Sequence, residues 1–76
     1  MNKQRRKELE NAVALLERAK DIIECVAADE REAFDNLPEG IQYSERGEQM
    51  EEYADTLDEF FEALEEGIDN IGEIIG

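Results

Sequence analysis

The sequence predicts an all-α fold, an antiparallel two-helix hairpin of coiled-coil type. Two long segments carry apolar residues at alternating spacings of three and four. The single proline, Pro38, lies in the turn-rich interval between them, and the period-two alternation of a strand is absent. Spacing of this kind, sustained over about four heptads, belongs to helices packed at a shallow angle. With 76 residues the chain has room for one small domain.

The first segment sets Leu9, Ala12, Leu16, Ala19, Ile23, Val26, Glu30 and Ala33 on one stripe, widened by Val13, Ala27 and Phe34. It predicts a helix over about residues 3–35. Pro38 disfavours helical dihedrals at Leu37 and so ends this helix near Asp35 or Asn36. The turn spans 36–43, where Gly40 suits a positive φ and Leu37 and Ile41 fold back over the hairpin end. Ser44 is a natural N-cap for a second helix over about 44–75, with Glu45 and Glu48 favourably placed at the positive end of its dipole. That helix carries Met50, Ala54, Leu57, Phe61, Leu64, Ile68, Ile71 and Ile75 on its stripe, widened by Tyr53, Phe60 and Ile74. A short connection makes the two helices antiparallel neighbours. Facing residue numbers that sum to about 80 would pair Leu16 with Leu64, Ile23 with Leu57 and Leu9 with Ile71. The same register sets Ala19 against Phe61, Ala12 against Ile68 and Ala33 against Gly47, large residues meeting small ones.

One seam does not cover stripes this wide. Leu15, Ile22 and Phe34 on the first helix, with Tyr53, Phe60 and Ile74 on the second, are the candidate self-association residues. A dimer of hairpins forming a four-helix bundle is the expected homo-oligomer.

Charge is the other informative feature. With 22 acids against 8 bases the formal net charge is −14, which argues against direct binding of nucleic acid or an anionic membrane. No stretch has the roughly 20 apolar residues that span a bilayer. The basic start Lys3, Arg5, Arg6, Lys7 is followed by LENAVALLERAK, too charged for a signal peptide core. A single cysteine makes no internal disulfide, and a reducing cytoplasm is the expected location. Cys25 has Asp21, Glu24 and Asp29 nearby, which disfavours a reactive thiolate and suggests a half-buried packing residue.

The charge is graded along the chain: residues 1–20 carry six bases and three acids, whereas residues 47–76 carry eleven acids and no base. Glu48, Glu52, Asp55, Glu59, Glu62, Glu66, Asp69 and Glu73 follow the same three-four rhythm as the apolar stripe, shifted by two residues. Two residues is about 200° of helix, so this row faces away from the core. Glu51, Asp58 and Glu65 run beside it. A line of carboxylates roughly 5 Å apart is suited to a basic protein surface that ordinarily holds nucleic acid. The alternative is a structural oligomerisation or adaptor module that acts through its apolar faces, with the acids serving only solubility. Lys3, Arg5, Arg6 and Lys7 are expected to lie close to Asp69 and Glu73 and to neutralise the C-terminal end of the second helix. Glu30 is expected to pair with Arg46 or Arg31, or to set register as a lone polar seam residue.

No enzyme is expected, and no cofactor. The chain has no histidine, hence no triad base and no imidazole metal ligand. Glu-x-x-Glu and Glu-x-x-Asp pairs (Glu48/Glu51, Glu52/Asp55, Glu59/Glu62, Glu62/Glu65) resemble Mg²⁺ or di-iron spacings, but metal-binding bundles point such ligands inward. No calcium loop or glycine-rich phosphate loop is present. Tyr43 and Tyr53 are candidates for an interface.

The segment AFDNLPEGIQYSERGEQMEEYADTLDEFFEAL resembles small proteins of phages and prophages of Gram-positive bacteria. Their pattern is similar to N-[LM]-P-E-[GS]-[IL]-Q-x-S-E-R-G-E-x-M-E-E, matched from Asn36 to Glu52 and followed by a helix rich in Leu, Ile, Glu and Asp. The resemblance covers roughly the second half of the chain. It implies a phage-type helical hairpin and assigns no activity to any residue. Small, strongly acidic phage proteins often block host factors, CRISPR and other defence proteins among them, so the resemblance implies an inhibitor.

Overall fold

A computed structural model describes all 76 residues. The chain forms α1 (Lys3–Asp35), the one-turn helix α2 (Glu39–Gln42) and α3 (Glu45–Ile75). There is no strand. The long helices α1 and α3 pack side by side, and α2 rests on the start of α3. The molecule measures 58 × 15 × 14 Å, about the length of one long helix and two helices across.

Each helix end has a local cause. Asn2 caps α1, its side chain accepting a 2.8 Å hydrogen bond from the Arg5 amide. At the other end of α1 the Asn36 amide donates to Glu32 O at 3.0 Å. The Gln42 side-chain Nε2 donates back to Phe34 O and Asp35 O at 3.2 and 3.4 Å. These bonds occupy carbonyls that a helix terminus leaves without partners. Ser44 caps α3, its Oγ accepting from Gly47 N and donating to Ile41 O. Gly40 lies within α2, and no residue of the chain has a positive φ. The turn expected at Gly40 is thus one turn of helix, begun at Pro38, whose carbonyl accepts from Ile41 and Gln42. Leu37 is half-buried as part of this corner, whereas Ile41 is exposed.

Only Ala27, Gly47, Ala54 and Ile68 are buried. Leu9, Ala12, Val13, Leu16, Ala19, Lys20, Ile23 and Phe34 of α1 are half-buried, as are Met50, Leu57, Phe61, Leu64, Ile71 and Ile75 of α3. The Lys20 ammonium lies 5.5 Å from the centre of the Phe61 ring. Ala19, the residue before Lys20, is the partner that the sequence register gives Phe61. The other contacts between the helices, Lys20 with Glu65 and Arg31 with Asp55 and Asp58, reach farther along α3. The seam departs from the sequence stripe towards the C-terminal end of α1. Val26 and Ala33 are exposed there, and Ala27 and Phe34 take their places. A stripe of period 3.5 drifts about 20° per heptad on a straight helix of 3.6 residues per turn. After three heptads the next residue along faces the partner.

Candidate functional site

Two flanks and an outer face distinguish the surface of the hairpin. On one flank the helices are tied by charge. Arg31 donates from Nη2 to Asp55 at 3.0 Å and to Asp58 at 2.7 Å. Those two acceptors hold the Arg31 guanidinium above its usual pKa, the Asp55 bond first and then that of Asp58. Lys20 sits 3.4 Å from Glu17 and 3.8 Å from Glu65, with its side chain 18% exposed. Desolvation by itself would lower the Lys20 pKa, but Glu17, then Glu65 and Asp21, outweigh it and the net shift is upward. These bridges correct one expectation: Arg31 pairs with Asp55 and Asp58 of α3 and not with Glu30, which is half-buried without an ion pair. Lys20 and Arg31 of α1 relieve part of the α3 charge.

The opposite flank is apolar. A shallow groove lined by Val26, Glu30, Tyr53, Thr56 and Leu57 joins the two helices there. Leu15, Ile22 and Val26 from α1, and Tyr53, Phe60 and Ile74 from α3, are each about half exposed or more. At 100° per residue, Gln49, Tyr53, Thr56, Phe60, Ala63, Gly67, Asn70 and Ile74 form one row down this flank of α3. None of the eight is charged. Of the six candidate self-association residues, Phe34 is the exception, since it belongs to the half-buried seam. Its place in the apolar surface is taken by Val26, which the sequence stripe had assigned to the seam. Tyr43 stands apart on the hairpin end, 77% exposed.

The outer face of α3 carries the acidic row. Glu48, Glu52, Asp55, Glu59, Glu62, Glu66, Asp69 and Glu73 are all exposed. Asp55 is bound to Arg31; the other seven make no ion pair. In particular Asp69 and Glu73 form no ion pair with Lys3, Arg5, Arg6 or Lys7. From Glu48 to Glu73 the row runs about 38 Å along the helix. No three acids of the chain converge closely enough to ligate one metal ion. Cys25 is exposed on α1, where a half-buried position was expected. No helix is long and apolar enough to cross a membrane.

Comparison with known protein families, characterised proteins and solved structures finds no match to this chain.

Proposed function

We propose that the protein is a non-enzymatic binding protein whose outer α3 face docks on a basic surface that ordinarily binds nucleic acid. Seven unpaired carboxylates in a line, on a helix with no base after Arg46, are the observation that supports this reading. Their pitch of about 5 Å is of the same order as the roughly 3.4 Å per phosphate along one DNA strand. The likeness lies in sign and linearity. Long-range attraction would steer such a row into a cationic channel and exclude nucleic acid from it. The protein would then act as a phage-type inhibitor of a host or defence protein in the host cytoplasm. Self-association as expected from the sequence would display two such rows.

Reversing Glu59, Glu62 and Glu66 to Lys tests it. The immobilised wild-type protein should retain basic nucleic-acid-binding proteins from a bacterial lysate, and duplex DNA should elute them. The triple variant should retain none of them while keeping its helical circular dichroism. Retention unchanged by the reversal would sink the reading. The apolar flank favours a second reading, an adaptor that works through Leu15, Ile22, Tyr53, Phe60 and Ile74 and uses its acids for solubility. Moderate salt weakens electrostatic docking and leaves apolar assembly intact, which separates the two.

A further inference from the structure

We infer that the apolar flank is the interface for a second copy of this chain. The copies would be related by a two-fold axis parallel to the helices, so that each α1 lies antiparallel against the other copy's α3. This inference is independent of what the acidic row binds.

Surface area is the first argument. The hairpin exposes 5858 Å². A compact monomer of 8.7 kDa is expected to expose roughly 4,700 Å². The excess of about 1,100 Å² exceeds the ~800 Å² that each partner contributes to an interface of standard size. It arises from a rod of 58 × 15 × 14 Å, and a second hairpin laid alongside corrects that shape. Burial gives the same answer, because the hairpin buries no large side chain fully and Ile68 is the only large apolar one that it leaves less than a tenth exposed.

Charge selects both the flank and the orientation. A chain of net charge −14 approaches its own copy most favourably through a surface without carboxylates. The flank of α3 that carries Tyr53, Phe60, Gly67 and Ile74 is such a surface, and Leu15, Ile22 and Val26 continue it onto α1 across a groove whose one carboxylate is the half-buried Glu30. Two arrangements stack these flanks face to face. Stacking α3 on α3 would set side by side two helices that each carry twelve acids and a single base, Arg46. The axis parallel to the helices puts the α3 helices on a diagonal instead. Each basic start of α1 then lies between the C-terminal turns of two α3 helices, and Lys3, Arg5, Arg6 and Lys7 have no ion pair inside the hairpin. The register expected from the sequence, with facing numbers that sum to about 80, would set Leu15 opposite Gly67 and Ile22 opposite Phe60 if carried across the interface.

Sedimentation equilibrium of the wild-type chain from 1 to 200 µM should give a mass of about 17 kDa, twice the chain mass. The double variant Ile22→Gln and Phe60→Gln keeps good helix formers and should raise the dissociation midpoint at least 100-fold. Cys25→Ser, on the outer face of α1, should leave it unchanged. Spin labels on Gln4→Cys in the Cys25→Ser chain report the orientation, and they do so even if the double variant unfolds. Labels about 15–25 Å apart fit the proposed axis, whereas α1 stacked on α1 would separate them by about 50 Å. A wild-type mass of 8.7 kDa at 200 µM, any larger assembly, a folded double variant that still dimerises, or the long label distance would overturn the inference.

Discussion

Gly47 and Gly72 have the same side chain and opposite roles. Gly47 is buried at the first turn of α3, under the corner made by α2. A Cβ there would stand 2.6 Å from Ile41 O and closer still to Gln42 O, both backbone atoms that do not swing aside. Gly47→Ala should therefore destabilise the hairpin by roughly 1–3 kcal/mol, as overpacking does, despite the better helix propensity of alanine. A Cβ on Gly72 meets nothing within 4 Å, so Gly72→Ala should stabilise by up to about 1 kcal/mol. Chemical denaturation of both variants checks the pair of signs. Neither role is legible in the sequence, where both are helical glycines, because the close approach at Gly47 is made by backbone from another element. Lys20 was hidden for a different reason. Its long stem lies over the seam and its charge reaches out to Glu17 and Glu65, and an apolar-periodicity count passes over such a residue. Its pKa is raised from 10.5 in the folded chain, so its stabilisation is present in full below the unfolded value and is lost as pH rises through the folded one. The difference in Tm between wild type and Lys20→Gln should hold steady from pH 7 to about 10 and shrink above 10.5. Thermal melts of the two chains side by side cancel the titrations they share.

At the scale of elements, the two long helices were readable because three-four periodicity persists along each, with Pro38 and Ser44 marking the break between them. What the pattern did not give was the face of α1 near its end. A ladder of positions at period 3.5 rotates relative to a straight helix, and Ala27 and Phe34 turn inward where Val26 and Ala33 were expected. The corner was missed as well, since Gln42 closes it through its side chain and gives no periodic signal. The acidic row was legible in full as a spacing, and only the bond from Arg31 to Asp55 alters it. Within α3 the row brings like charges together three and four residues apart, each pair costing a few tenths of a kcal/mol. Glu62→Lys replaces repulsion from Asp58, Glu59, Glu65 and Glu66 with attraction. It should stabilise the hairpin by about 0.5–1 kcal/mol, read as a higher denaturation midpoint with an unchanged slope.

For the whole molecule, opposite responses to salt follow from one charge distribution. Seven unpaired row acids on one side of α3, in a chain of net charge −14, repel one another in the folded rod more than in an extended chain. Two ion-paired sites, at Lys20 and Arg31, offset this, but both lie near the surface, where a pair contributes about 0–1 kcal/mol. Screening at 0.5 M NaCl, where the Debye length is roughly 4 Å, should therefore remove more repulsion than attraction. The Tm is expected to rise by several degrees between 20 mM and 0.5 M NaCl. In the triple variant with Glu59, Glu62 and Glu66 changed to Lys, the rise should be much smaller, because the reversed charges already relieve the row. Docking on a cationic partner moves the other way, since salt screens the attraction that steers and holds the row. Melting curves and partner retention measured across the same salt series therefore separate the two uses of these acids. Stability that falls with salt would show that the paired flank outweighs the row. Retention that survives 0.5 M NaCl would show that the contact with the partner is apolar, and would move the binding surface from the outer face of α3 to the flank of Tyr53 and Phe60.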